Sequence, residues 1–195
     1  MSKIYVANHV TLDGVMQGPG RADEDTRYGF AAGGWAAQNV DETVTEMLSA
    51  RVARGGGMRM LLGRFSYDDM LGYWNTQDSP FTSALNNAEK YVVSRTLTSP
   101  LAWPNSTLVS GGIADLAALK NAPGADLCVM GSGQLIQTLM EHRLIDEFLL
   151  FVHPIVLGSG RRLFTEPGAS AGLHLLEARG TPTGVIVAHY ESIIE

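Results

Sequence analysis

The order of apolar segments constrains this chain more than any other feature. Through roughly the first two-thirds, short β-branched or apolar runs alternate with amphipathic ones; thereafter the runs read only as strands. The strand-like runs are KIYVANHV, MRMLLG, EKYVVSRTL, STLVSGG, DLCVM, DEFLLFVHPIVLG, HLLEARG and GVIVAHYESI. The helical ones are VDETVTEMLSARVA, RFSYDDML, IADLAALKNA and the stretch after GSG at 131–133. Eight strands and four helices in this order predict a three-layer α/β fold. Its sheet is mixed and mostly parallel, with antiparallel strands at the C-terminal end. Pro154, inside the long run 146–158, predicts a bulge or an edge position. Ser66 and Asp69 stand in capping-box spacing, which predicts that Ser66 caps its helix.

With no repeat, linker or low-complexity tract, residues 1–195 read as a single domain. The composition is 45% hydrophobic and 17% charged, as expected of a folded chain. A net charge of −6 with no basic run disfavours nucleic acid and anionic membranes as partners. The single cysteine, Cys128, lies in an apolar run and reads as core. No signal peptide or bilayer-length apolar stretch is legible, so the expected location is cytoplasmic. The five histidines lack metal-ligand spacing, so no metal is expected.

Three strand ends carry chemistry. In VMGSGQLI two glycines separate a buried strand from a helix; this is either a tight turn or a backbone cradle for an anion. Ile136 replaces the third small residue of a dinucleotide fingerprint, so the motif is incomplete. In LLGRFSYDDM, Gly63 ends a strand and Arg64 offers a planar cation; an ordinary strand–helix junction would look the same. In VVSRTL, Ser94, Arg95 and Thr96 form either a solvated turn or a seat for a phosphate monoester. One ligand bearing several phosphates accounts for all three ends, and NADPH is such a ligand.

These segments, with LIDEFLLFVHPIVLGSGRRLF and the terminal GVIVAHYE, resemble the dihydrofolate reductase superfamily. More closely they resemble its branch similar to the reductase domain of bacterial riboflavin biosynthesis. The resemblance spans nearly the whole chain and implies a dihydrofolate reductase-like fold with NADPH across the strand ends. It implies that Gly131, Ser132, Gly133 and Gln134 meet the pyrophosphate, and that Gly63, Arg64, Phe65 and Ser66 meet phosphates from the other side. Ser94, Arg95 and Thr96 would hold the adenosine end and its 2′-phosphate, and backbone near Ala7 the nicotinamide amide. A homodimer is implied as well.

The expected activity is NADPH-dependent hydride transfer to a small planar heterocycle, pterin- or pyrimidine-like, or to a carbonyl or imine. True dihydrofolate reduction and non-catalytic NADP(H) binding on the same fold are the alternatives. Dihydrofolate reductases carry an acidic residue in the first helix. Asp41 is the catalytic candidate here, with helix N-terminal charge as the plain alternative. For the substrate side the candidates are three. Asp13 belongs to an Asp-Gly turn that either borders the active site or is a plain turn, and Trp35 to a long glycine-rich loop that reads either as a mobile lid stacking on a flat ring or as a loop anchored on the core. Pro154 lies before the LGSGRR turn.

Overall fold

A computed structural model describes residues 2–193. Eight strands form one sheet: β1 (Ile4–Thr11), β2 (Arg59–Gly63), β3 (Glu89–Val93), β4 (Ser106–Val109), β5 (Leu127–Val129), β6 (Glu147–His153), β7 (Gly172–Gly180) and β8 (Ile186–Ile193). Their spatial order is β4-β3-β2-β5-β1-β6-β8-β7. The first six in that order are mutually parallel; β8 is antiparallel to β6, and β7 to β8. The predicted mixed sheet with an antiparallel C-terminal pair is therefore present.

Five α-helices cover the sheet: α1 (Glu42–Arg54), α2 (Arg64–Trp74), α3 (Pro80–Asn87), α4 (Ile113–Asn121) and α5 (Gly133–Glu141). On one face, Leu116 of α4 and Leu135, Ile136 and Leu139 of α5 pack with Ile4, Val6, Leu61 and Val129. On the other, Val44 and Met47 of α1 meet Tyr5, Ala7 and Leu149. Tyr67 of α2 and Leu85 of α3 meet Met60, Leu62 and Val92. Side chains alternate across a strand, so β1 and β2 feed both apolar layers at once. This is why their runs read as continuously hydrophobic.

Three expectations need correction. The helix α3 is absent from the sequence reading although its start is signalled: Ser79 accepts from the Thr82 amide at 3.1 Å, and Pro80 follows at the first helical position. Its far end is closed by the buried Lys90 ammonium, which donates to the Leu85 and Ala88 carbonyls. The long run 146–158 is a strand only to His153. Pro154 has no N–H to give to a ladder, and it follows an interior strand without bulging it. The sheet's irregularity lies in β7, between Leu175 and Glu177. Ser66 does not cap α2: the N-cap position is Gly63, and Ser66 lies inside the first turn.

Candidate functional site at the carboxyl ends of the parallel strands

A cavity of about 1410 Å³ runs along the carboxyl edge of the sheet. Ala7, Asn8 and His9 enter it from β1, and Gly63 from β2. Ser94, Arg95 and Thr96 enter from the turn after β3, Ser110 from beyond β4, and Met130 and Gly131 from beyond β5. Parallel strands end on one edge, and the helices that follow them begin there, which gathers helix N-termini at the cavity.

Those N-termini differ. Asp41 caps α1 and Ser79 caps α3. α4 carries Asp115 in its first turn, where its carboxylate accepts from the Gly111 amide at 2.7 Å. Among the described helices only α2 and α5 have neither a side-chain cap nor an acidic residue in the first turn, and both begin at the cavity. The leading amides of a helix have no carbonyl one turn back and carry partial positive charge. Two such ends facing one space favour an anion.

The turn ahead of α5 is held by side chains. Gly131 and Ser132 both have left-handed backbones, at φ +66° and +60°. The Gly131 amide donates to Asn8 Oδ1 at 2.8 Å, and the Gly63 amide donates to Ser132 Oγ at 2.8 Å. These two amides shape the cradle and are not free for a ligand, whereas the first amides of α5 are. A Cβ on Gly131 would come within 2.9 Å of Ser66 Oγ, and the left-handed backbone at φ +66° is one that side chains rarely adopt, so the turn favours glycine there.

The arginines also divide. Arg21, Arg27, Arg64, Arg95, Arg161 and Arg162 line the cavity. Arg21 pairs with Asp69, Arg27 with Asp25, Arg64 with Asp68 and Arg162 with Asp13. Arg95 and Arg161 have no carboxylate partner among the described residues. Arg161 Nη2 lies 3.9 Å from the Cβ position of Gly133, beside the open end of α5. Arg95 is exposed, on a turn that Ser94 Oγ organises by accepting from the Thr96 and Leu97 amides at 3.1 Å each. Arg64 donates to Thr96 Oγ1 at 2.7 Å and so spans from α2 to that turn. All twelve residues assigned to the cofactor by resemblance, from Ala7 to Gln134, line this one cavity.

The family model of the RibD C-terminal domain matches residues 2–187. The chain belongs to the RibD C-terminal domain family. Its relatives include the uncharacterized protein YyaP of Bacillus subtilis (strain 168), 28% identical over 190 residues, with 93% of this chain and 90% of YyaP covered. A riboflavin-biosynthesis-like protein from Shewanella sp. PV-4 has the same fold, with a TM-score of 0.71, 24% identity and full coverage of both chains. Dihydrofolate reductase from Enterococcus faecalis, solved with NADP(H) and RAB-propyl, has a TM-score of 0.61 at 8% identity. It covers 98% of this chain and 97% of its own. Family membership and the dihydrofolate reductase-like fold support a reductase.

In this RibD-type chain the residues expected at the substrate lie outside the cavity lining. Asp41 Oδ1 accepts from the Val44 amide at 3.2 Å, and Oδ2 accepts from the Thr183 hydroxyl at 3.1 Å. Desolvation opposes its charge, yet these hydrogen bonds hold its carboxyl below the usual range. Asp41 is a helix cap. Asp13 accepts from the Thr11 hydroxyl and from the Gly158 and Leu157 amides, and its pKa is lowered to about 2. It fastens the first turn to the one after β6. Pro154 is exposed beyond β6. The Trp35 indole N–H donates to the Gln17 carbonyl at 2.7 Å, and its ring stands edge-on to His153 at 5.3 Å. The loop around it is stitched down. Buried Gln17 donates to the Asp25 and Arg27 carbonyls and accepts from the Arg161 amide.

The cavity's other lining comes from residues the sequence reading passed over. Arg21 lies over the Tyr73 ring at 4.3 Å, and Arg27 over the Phe65 ring at 3.5 Å; Met70, Trp74 and Phe81 add apolar surface. Asn8 and His9 had a legible signal, as polar residues inside an apolar strand. Gln17 and Arg21 had none, because loop contacts follow no period. Among the described residues no group of three or more His, Cys, Asp or Glu is placed to hold a metal ion. No described helix is long and apolar enough to cross a membrane.

Proposed function

We propose that the chain is an NADPH-dependent reductase acting on a small planar heterocycle, pterin- or pyrimidine-like, or on a carbonyl or imine. The observation that carries this is the pair of uncapped helix ends, α2 and α5, which meet at the cavity between two arginines without carboxylate partners. A pyrophosphate fits the amides at the start of α5 together with Arg161. The 2′-phosphate of NADPH fits Arg95, with Arg64 and Thr96 beside it. The nicotinamide would be held near Ala7, in the middle of β1. When bound, NADPH supplies a hydride.

The chain's own contribution is orientation and exclusion of water. A cavity of about 1410 Å³ exceeds the roughly 300–1,000 Å³ of a pocket for one small ligand. The surplus suits a second molecule against Met70, Tyr73, Trp74 and Phe81, where flat rings meet aromatic and apolar walls.

Calorimetric titration with NADPH and NADH, followed by NADPH oxidation with dihydropterin and aminopyrimidine acceptors, tests the reading. Saturable binding with NADPH favoured over NADH supports it, and turnover of either acceptor class extends it to catalysis. An absence of heat with both cofactors sinks it.

A further inference from the structure

His9 and His153 form a neutral histidine pair at the Ala7 end of the cavity. His9 shares its strand face with Tyr5 and Ala7 and lines the cavity beside Ala7. Its ring stacks on Phe151, with centroids 4.8 Å apart, and its Nδ1 lies 2.8 Å from His153 Nε2. His153 is fully buried under the edge of Trp35, and its Nδ1 has no hydrogen-bond partner.

One proton sits between the two rings, and the unpartnered Nδ1 of His153 decides which ring owns it. If His9 donates, His153 must carry its own proton on Nδ1, which leaves a buried N–H with no acceptor. Folded proteins avoid orphaned buried donors most strictly. If His153 donates from Nε2, only a bare ring lone pair is left inside. His9 then receives at Nδ1 and keeps its proton on Nε2, the nitrogen left for the cavity. Burial holds both rings neutral. It lowers His9 to about 3, with His153 adding to the effect, and His153 to about 4.

We propose that His9, with its tautomer set by His153, is a neutral hydrogen-bond donor that positions an acceptor atom of the substrate, either a carbonyl oxygen or an unprotonated ring nitrogen. The proposal rests on the reductase reading above and names what that site recognises. When the carbon of a C=O or C=N bond receives hydride, the electron pair of that double bond moves onto the atom held by His9. A neutral imidazole does not surrender its last N–H, so that atom takes its proton from water. The place for a planar substrate is thereby fixed by its acceptor edge toward β1.

The test begins with 15N NMR of the imidazoles in the full chain at neutral pH. His9 is expected to be protonated at Nε2 and bare at Nδ1, and His153 protonated at Nε2. A proton on His9 Nδ1, or a charged ring, overturns the proposal. This readout does not depend on turnover. The second arm is kinetic, with 7,8-dihydrofolate and a 2,5-diaminopyrimidinone as probes. His9→Phe keeps the stack on Phe151 but removes the donor. It is expected to lower kcat/KM by about tenfold, the scale of one lost hydrogen bond, with NADPH affinity unchanged. His9→Gln, which restores an N–H, should recover part of the loss. An unchanged kcat/KM in His9→Phe refutes the role. If the wild-type chain oxidises NADPH with neither probe, the reductase reading suffers instead, and the NMR result still decides which nitrogen His9 offers.

Discussion

The backbone amide of Gly63 donates to the Ser132 hydroxyl oxygen at 2.8 Å, joining the end of β2 to the turn before α5. This bond crosses 69 residues of chain and sets the two open helix ends side by side. Ser132→Ala removes the acceptor and leaves the Gly63 amide unpaired, which costs about 1–2 kcal/mol of stability. Urea unfolding should show that loss. NADPH titration of the folded variant should show weaker binding, because the two helix ends lose their fixed spacing. Binding and stability both equal to wild type would mean that the clasp sets neither.

Arg95 and Arg161 should separate by cofactor. Arg95→Ala is expected to weaken NADPH by about tenfold and to leave NADH unchanged, since only the 2′-phosphate needs it. Arg161→Ala, beside the start of α5, should weaken both cofactors by a similar factor of about ten, because both carry the pyrophosphate. Titration of both cofactors against both variants gives four affinities. An Arg95 variant that loses NADH as strongly as NADPH would remove it as the reader of the 2′-phosphate.

Glu147 anchors a buried charge cluster away from the cavity. It accepts from Arg51 at 2.6 Å, Lys3 at 2.7 Å and His189 at 2.8 Å. Burial opposes its charge, but His189, Lys3 and Arg51 hold its carboxyl well below the ordinary glutamate range. A carboxyl depressed on folding gives stability that is complete above its unfolded value, near 4.5, and is lost as pH falls through the folded value. Glu147→Gln should cost about 3 kcal/mol at neutral pH, since Arg51 keeps Asp126 as a second partner. It should also flatten the decline of stability below about pH 5. Thermal melts across the acid range check both, and an acid slope equal to wild type would contradict the assignment.

The loop from 15 to 38 should be protected without any ligand, contrary to the lid that its glycines suggest. The Gly34 amide donates to the Gly18 carbonyl at 2.8 Å, and the Ala36 amide to the Pro19 carbonyl at 2.9 Å. Val15, Phe30 and Ala36 are buried beneath. Hydrogen exchange at Gly34 and Ala36 should be slow in the ligand-free chain. Exchange at the rate of an open loop would restore the lid.

We further propose that two copies associate through β7. Among the described residues this nine-residue strand pairs only with β8, and its other edge is open. Leu175, Leu176, Ile186 and Ile193 expose about half their surface on this hairpin. An open apolar edge strand is a template for pairing. Light scattering should report a dimer, and Leu176→Lys should shift it toward monomer. A wild-type monomer at high concentration would end the proposal.

The sequence by itself determined the layer architecture, because burial on both faces writes continuous apolar strands such as IYVA and MLLG, and amphipathic helices between them. It also determined which strand ends carry glycine, hydroxyl and guanidinium groups, since turn chemistry is local. α3 was legible too, from Ser79-Pro80, a capping serine followed by proline at the first helical position. Tertiary structure alone decided the rest. Asp41, Asp13 and Trp35 have the right chemistry for a site, but each is turned to a cap, a turn clasp or a loop anchor by partners 18 to 144 residues away. Asn8 meets Gly131, and His9 meets His153, only because β1 lies between β5 and β6. Hydrogen bonds act over about 3 Å, and no periodicity along the chain records which distant groups the fold will bring within that reach.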